Sequence, residues 1–489
     1  VSTLIVVNDP REWPFQISDV QVVDARSYLT RTEFSEMRSA KVINLCRSYR
    51  YQTTGYYVSL LAEARGHKPQ PSVSTIQDIK SQAMMRLVSG ELDELIQKSL
   101  SRIQSDKFTL SIYFGRNLAK RYERLALQLF NMFQSPLLRA QFGRDKDQRW
   151  QLRSVSTISA SGIPPSHHDF VAEVATKHFT GRRYRVRRKT AMRYDMAILR
   201  NVMEKHPPSD EKALEKFMKA AESLAIRPEL IDRDDYGRLA EFDALFIRET
   251  TFVNHHTYRF ARRAASEGLV VIDDPDSILR CTNKVYLAEL MQRHKIHVPK
   301  TLVVHRENAQ QIIPELGLPV VLKKPDSAFS VGVTKADDEE QLNQQLQQLL
   351  SESELVVAQA FLPTTFDWRI GVLDQRPLYA CKYHMARNHW QIIRQDGAGP
   401  RYGRVDTLPV EVAPRAAVKL ALAAANLIGN GLYGVDVKQS GNAFFVIEVN
   451  DNPTIEAGEE DRILRDELYR RIMSVFLARI EQRKQGTRD

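Results

Sequence analysis

Cysteine is scarce in this 489-residue chain: Cys46, Cys281 and Cys381 are scattered, and none falls in a Cys-x-x-Cys spacing. An odd, dispersed set gives neither a disulfide framework nor a thiolate zinc site, and it fits a reducing cytoplasm. No apolar run approaches 18 residues, so no membrane span is expected. The opening stretch Val1-Ser2-Thr3-Leu4 lacks a basic leader and a cleavage site, so no signal peptide is expected, and without Met it reads as a processed start. No Ser-His-Asp or Cys-His set has supporting context, which speaks against catalysis through a nucleophilic side chain. The apolar content, 43%, is ordinary for a folded protein, and the length suits two or three domains with substantial cores. Acids are outnumbered, 60 against 70 Lys and Arg, for a net charge of +10. That excess favours anionic partners, whether nucleotide phosphates, carboxylate substrates or nucleic acid, and by itself it does not choose among them.

Residues 1–165 read as a small α/β domain. Leu4–Val7, Val20–Val23 and Val42–Asn44 are short apolar strands, followed by helices over Gly55–Ala64 and Ile76–Ser99. Phe108–Phe114 reads as a strand, and Gly115-Arg116-Asn117 as a turn into a helix near Leu118–Phe133. Such a junction can hold an anion or simply turn the chain. Residues 139–193 form a basic zone, densest at Arg182, Arg183, Arg185, Arg187, Arg188, Lys189 and Arg193. It can be read as a patch for nucleic acid, but aromatic interleaving is thin, and a solvated linker over 166–193 is the expectation. His167-His168-Asp169 has no third ligand at helical spacing, so no metal is expected there.

Residues 194–275 alternate strand and helix, giving a small parallel sheet. The helix after Asp210 should bury a stripe of Ala213, Leu214, Phe217, Met218, Ala221 and Leu224. Arg248 follows the strand Asp243–Ile247, where such sheets bind ligands, and is a candidate for gripping a carboxylate.

Residues 276–480 carry the chemistry, and 481–489 read as a flexible tail. Lys284 opens a helix, and Lys323 ends the strand Leu318–Leu322. The polar loop Asp326–Ser330 follows, where small residues let backbone amides close over phosphate. Two apolar runs, Gly434–Lys438 and Ala443–Asn450, flank a short polar loop and form a hairpin. Asp436 and Glu448 interrupt these runs. A three-residue loop, Ser440-Gly441-Asn442, would turn Asp436, Glu448 and Asn450 to one face. Three hard oxygen donors on adjacent strands suit Mg²⁺, although acids on a wet sheet face need no metal.

The order of these parts resembles the ATP-grasp ligases, most closely the RimK-like branch of glutamate ligases. The resemblance rests on Asn283-Lys284, Val298-Pro299-Lys300-Thr301, Pro319–Lys323, Asp367-Trp368-Arg369, Gly434-Val435-Asp436 and Glu448–Pro453. It covers about 190–480, with residues 1–165 as an accessory domain. It implies a multidomain α/β and α+β fold: an N-terminal α/β domain, a pre-ATP-grasp parallel sheet, and two α+β subdomains gripping ATP. It further implies that Asp436, Glu448 and Asn450 hold two Mg²⁺ ions, with Mn²⁺ as a substitute. Lys284, Lys323, Ser327 and Ser330 would meet the nucleotide phosphates, and Gln359, Phe361 and Leu362 of the hinge would hold adenine. Arg369 would lie by the phosphates or the substrate carboxylate. The loop at 326–332 keeps only Gly332 where relatives are richer in glycine, and Ala360 stands where relatives often carry Glu. Arg387, Arg401 and Arg404 are candidates for steadying an acylphosphate, since guanidinium forks match carboxylates and phosphates.

The implied activity is ATP- and Mg²⁺-dependent joining of a carboxylate to an amine. The expected addition is glutamate or a similar amino acid onto a peptide, protein tail or small amine, by a homo-oligomer. The alternatives are a small-molecule dipeptide or amino-acid-conjugate synthetase, a nucleic-acid-binding protein using 182–193, and an ATP-grasp domain kept only as a nucleotide sensor.

Overall fold

The structure, a computed structural model, describes residues 2–37, 40–180, 192–326, 332–387, 389–396 and 399–486. The chain forms two compact units, and neither is continuous in sequence. One comprises Val1–Asp195, Asp234–Asp243 and Glu481–Asp489, the other Met196–Arg233 and Ala244–Ile480.

The first unit begins with a parallel sheet of β1 (Ser2–Val7), β2 (Val20–Asp24), β3 (Ala40–Asn44) and β4 (Lys68–Gln70), in the order β2-β1-β3-β4. Alternation along β1 sends Leu4 and Val6 to one face, where they meet Val58 and Ala62 of the helix Thr54–Ala64. Ile5 and Val7 go to the other face, into a core shared with Val171, Val174 and Ala175 of the helix His168–Thr180. A sheet covered on both faces explains why β1 is buried from Leu4 to Val7. It also corrects the expected linker over 166–193, whose first part is this helix. The arginine cluster from Arg182 to Lys189 lies outside the described residues.

A second sheet is antiparallel: β5 (Lys107–Tyr113), β6 (Leu137–Arg144) and β7 (Trp150–Thr157). It packs on Leu125, Leu129 and Phe133 of the helix Glu123–Phe133. The hairpin β6–β7 lies inside the stretch read as merely basic. Its arginines sit at the wetter positions while Leu138, Ala140, Phe142, Leu152 and Val155 point inward. The single helical region expected over 76–99 is three helices, Val73–Asp78, Gln82–Glu91 and Asp93–Leu100. Arg116 pairs with Glu123, and His167 Nδ1 is 2.7 Å from the Tyr113 hydroxyl, so both have partners within the fold.

The ten residues Asp234–Asp243 belong to this unit through polar contacts. Asn131 Oδ1 accepts the Gly237 amide at 3.0 Å, and Gln134 Nε2 donates to Tyr236 O at 3.3 Å. The expected tail at 481–489 is instead helical as far as Gly486, in the helix Asp466–Gly486.

The second unit opens with a sheet of β8 (Tyr194–Leu199, in this unit from Met196), β9 (Ile226–Ile231), β10 (Ala244–Ile247) and β11 (Val270–Ile272), in the order β11-β10-β8-β9. β10 runs parallel to both its neighbours. Asp210 caps the helix Glu211–Ser223 by accepting the Ala213 amide, and Ala213, Leu214, Phe217 and Ala221 are buried at the predicted spacing.

Two antiparallel sheets follow. The first is β12 (Thr301–Val304), β13 (Val320–Lys323), β14 (Val333–Ala336) and β15 (Val356–Ala360), in the order β12-β15-β13-β14. The helix Glu339–Glu352 covers it with Leu342, Leu346, Leu349 and Leu350. The second has the order β20-β17-β16-β21-β22. Its strands are β16 (Phe366–Leu373), β17 (Arg376–His384), β20 (Val405–Leu408), β21 (Leu432–Ser440) and β22 (Ala443–Asn450), and β18 (Ile393–Asp396) pairs separately with β19 (Gly399–Tyr402). The helix Arg415–Ile428 lies on this sheet through Ala417, Ala421, Ala424 and Ala425, whose small side chains let the two backbones approach.

Candidate active site

The acid hairpin β21–β22 sets the geometry. Ser440 pairs with Ala443, so the loop has two residues, Gly441 and Asn442, with Gly441 at φ +57°. The expected three-residue loop is therefore incorrect. A two-residue loop alone would place Asp436 opposite Ile447 and turn Glu448 away. A β-bulge restores the register: Val437 pairs with Val446 and Asp436 pairs with Glu448, leaving Ile447 as the extra residue. Asn450 then pairs with Gly434. The three oxygen-bearing side chains come to one face through a bulge that the local sequence does not announce.

Gly434 is required there. A Cβ at this position would lie 2.7 Å from Pro453 Cβ and 3.0 Å from Arg369 Cδ. The space it leaves admits Arg369, which faces Asp436 across β16 and β21. Arg369 Nη2 donates to Asp436 Oδ2 at 2.9 Å, and Arg369 Nε donates to Oδ1. The guanidinium also stacks over Tyr383, 4.9 Å from the ring centre. Burial raises the Asp436 pKa, and Arg369 opposes that shift only in part.

Asn450 Nδ2 donates to Gly434 O at 3.2 Å and to Asp436 Oδ2 at 3.3 Å. Both bonds use the nitrogen, so the amide oxygen is the atom left to meet a cation. A carboxylate offers about four lone-pair directions. Three on Asp436 are taken by Arg369 and Asn450, and one on Oδ1 remains. With Glu448, this is a set of hard oxygens, and it suits Mg²⁺ or Mn²⁺ in chemistry and orientation.

The lysines approach from the other elements. Asn283 caps the helix Lys284–Arg293 by accepting the amides of Val285 and Tyr286, and its Nδ2 donates to Asp326 Oδ1 at 2.9 Å. A cap contributes about 1 kcal/mol, so its larger effect is positional: it fixes Lys284 as the first helical residue. Lys284 Nζ reaches Glu448 Oε1 at 2.9 Å. Burial works to raise the Glu448 pKa, but Lys284 and then Lys323 outweigh it and hold the carboxyl below its usual range. Lys323, at the end of β13, donates to Gln359 Oε1 at 2.9 Å, and Gln359 Nε2 donates to Thr301 Oγ1 at 2.9 Å. Burial brings the Lys323 pKa down to about 8, despite the Glu448 charge.

These side chains line one cavity of about 870 Å³, together with Phe361 and Leu362. The amides of Ala360 and Phe361 donate to Lys300 O and Pro319 O. Of the hinge residues, Leu362 is the one whose amide has no backbone acceptor among the described residues. Arg404 lines the cavity but is exposed and donates to Asp406 Oδ2 at 2.6 Å. Arg387 lies in an exposed turn and is not part of the cavity wall. Arg401 is in β19, and its side chain is outside the described residues, as are Ser327 and Ser330.

The structure also adds residues that the sequence reading passed over. Lys438, two positions beyond Asp436 and on the same face, donates to Asp367 Oδ1 at 2.8 Å and to Thr364 Oγ1 at 2.6 Å. The period of two was the available signal. Asp451 also lines the cavity: burial lifts its pKa to about 7, although the Thr251 hydroxyl donates to it at 2.8 Å. Arg248 is 1% exposed and makes four hydrogen bonds within the fold. It donates to Ser209 Oγ at 3.0 Å, Asn452 Oδ1 at 2.6 Å, Pro208 O at 2.5 Å and Pro453 O at 2.9 Å. The carboxylate grip read for it is replaced by a structural one, which ties the segment after Asn450 to the end of β10.

Residues 25–174 match the family model described as the RimK-like ATPgrasp N-terminal domain, and residues 281–466 match the RimK-like ATP-grasp domain. The alpha-aminoadipate–LysW ligase LysX of Saccharolobus solfataricus is 29% identical over 194 residues, 38% of this chain and 67% of that protein. A probable alpha-L-glutamate ligase of Vibrio vulnificus is 25% identical over 226 residues, 45% of this chain and 72% of that protein. Among solved structures, a RimK domain ATP-grasp protein from Sphaerobacter thermophilus aligns at TM-score 0.44 and 17% identity, over 57% of this chain and 98% of that one. With an N-terminal and a catalytic family domain recognised in the expected order, the chain belongs to the RimK-like ATP-grasp family of ATP-dependent carboxylate–amine ligases.

Proposed function

We propose that this ligase adds glutamate or a similar amino acid to the amine of a peptide, protein tail or small molecule, through an acylphosphate. The observation that carries the reading is the meeting of Lys284, Lys323, Asp436, Glu448 and Asn450 at one cavity. A carboxylate is a poor electrophile because its leaving group would be oxide. Transfer of the γ-phosphoryl group to it turns that leaving group into phosphate. Attack by an amine then forms the C–N bond and breaks the C–O bond, giving the amide, ADP, phosphate and the amine's proton. Positioning and charge neutralisation suffice for such a transfer, without a nucleophilic side chain.

In this reading Lys284 and Lys323 hold nucleotide phosphates. Leu362 supplies a backbone contact to the base, and Phe361 an apolar wall. Asp436, Glu448 and the Asn450 amide oxygen would hold Mg²⁺, which when bound neutralises phosphate charge and orients the transferred group. Arg369 aims Asp436 and opposes the protonation that burial favours. Arg404, on the outer wall, is the candidate for a substrate carboxylate.

The N-terminal domain would select or present the acceptor. Tyr51, just before the helix Thr54–Ala64, and Tyr57, within it, are exposed aromatic side chains of this domain. An acceptor profile unchanged in a folded Tyr51→Ser, Tyr57→Ser variant would count against that role.

The decisive experiment measures ADP release with ATP and Mg²⁺ across amino acids and peptides, with product masses read in parallel. The expected result is release that requires both an acid and an amine, a product one water lighter than their sum, and loss of both in Glu448→Ala. ATP hydrolysis indifferent to every acid and amine would overturn the ligase reading.

A further inference from the structure

At the C-terminal end of β10, made of residues other than those of the hard-oxygen hairpin, lies a second cluster that nucleotide chemistry does not use. Glu249, His255 and His256 place one carboxylate oxygen and two ring nitrogens within 4.8 Å of one another. Glu249 is 1% exposed, and among the described residues neither of its side-chain oxygens has a hydrogen-bond partner. Oε1 lies 2.8 Å from His256 Nε2, a contact whose geometry is not that of a hydrogen bond. The rings of His255 and His256 are 3.9 Å apart between centres, and His255 Nδ1 is 3.1 Å from Thr257 Oγ1.

An ion pair between Glu249 and His256 would account for one imidazole and leaves the second, its ring centre 3.9 Å away, unexplained. Two imidazoles and one carboxylate converging on a point form a set of borderline softness. It matches Zn²⁺ or Co²⁺ better than Mg²⁺. Tetrahedral ligation at usual Zn²⁺ distances separates ligand atoms by about 3.3 Å, so small side-chain rotations would complete the set. Thr257 would then act as the hydrogen-bonding partner that fixes the His255 ring.

We infer that Glu249, His255 and His256 bind one borderline divalent transition ion, with Zn²⁺ the natural occupant, and that the ion staples the loop 249–256. The loop has something to hold. Thr250, Thr251 and Phe252 line the ligase cavity, Thr251 donates to Asp451, and Asn452 Nδ2 donates to Glu249 O at 2.7 Å. An ion on Glu249 and the two histidines would tie both ends of this wall together. Its role is positional, and turnover does not pass through it.

The test uses the full chain, freed of metal by chelation and then kept in excess Mg²⁺ so that the hard-oxygen site is supplied. Titration with Co²⁺ should give one equivalent of a visible d–d band displaced by Zn²⁺, with a rise in melting temperature. Glu448→Gln should retain the band. His255→Gln, His256→Gln should lose it, and Glu249→Gln should weaken Zn²⁺ binding by at least ~100-fold, the scale associated with disturbing a metal site. Melting curves without metal establish that each variant folds, and the half-buried single variant His255→Gln serves if the double one does not. Absence of a stoichiometric band, or a band that survives loss of the histidines, would overturn the proposal and leave an ion pair only.

Discussion

Arg369 grips both carboxylate oxygens of Asp436 from the adjacent strand, and Gly434 is bare so that it can. Removing one partner of a buried pair costs about 3–5 kcal/mol, more than the intact pair contributes over apolar packing, because a charge is left without compensation. Arg369→Ala should therefore lower stability by that order in denaturant melts and abolish measurable ADP formation. Arg369→Lys keeps the charge but not the fork. It should recover part of the stability and little of the activity.

Gly434→Ala tests the same relationship from the backbone side. The new methyl group meets Pro453 and the Arg369 stem, and overpacking of this kind costs about 1–3 kcal/mol. Turnover should fall by more than the loss of folded protein, since the shift falls on Arg369 and Asp436. Turnover per folded molecule, set against the melting temperature, separates the two effects.

Lys323 gives a pH dependence with a defined sign. Its pKa of about 8 leaves it charged in neutral solution and progressively neutral above that value. Affinity of the free protein for ATP should fall as pH rises through about 8. In Lys323→Gln the affinity should be weaker at neutral pH, and the step should be missing. Calorimetric titration with a non-hydrolysable ATP analogue at several pH values measures this.

Glu241 contributes to acid stability in the first unit. Burial would raise its pKa, yet Arg238, Lys41 and His178 bring it down to about 2. A carboxylate depressed from 4.5 to about 2 contributes about 3 kcal/mol at neutral pH, present above the unfolded value and lost as pH falls through the folded one. Glu241→Gln should melt earlier at pH 7, and its deficit should vanish as pH approaches about 2. Thermal melts across that range decide it.

Parts of the site were legible because they violate local expectation. Acids in apolar strands stand out, so Asp436 and Glu448 are visible in the sequence, and the lysines at the start of a helix and the end of a strand gain meaning beside them. Arg248 shows the converse. Its position after β10 is that of a ligand-binding residue, yet four acceptors from segments some 40 and 200 residues away consume it. The hairpin β6–β7 was obscured because its arginines occupy the wetter positions and mask the apolar alternation.

By itself the sequence determined the order of elements, the sheets' inward faces and the types of side chain available for chemistry, because periodicity and charge are local properties. Tertiary structure decided the rest. The bulge at Ile447 brings Glu448 opposite Asp436, and a pairing register depends on the partner strand as much as on the strand itself. Asp234–Asp243 joins the first unit through Asn131 and Gln134, a choice made by contacts about a hundred residues apart. Glu249, His255 and His256 are near in sequence, but only the path of the chain between β10 and the following helix turns their ligand atoms toward one point.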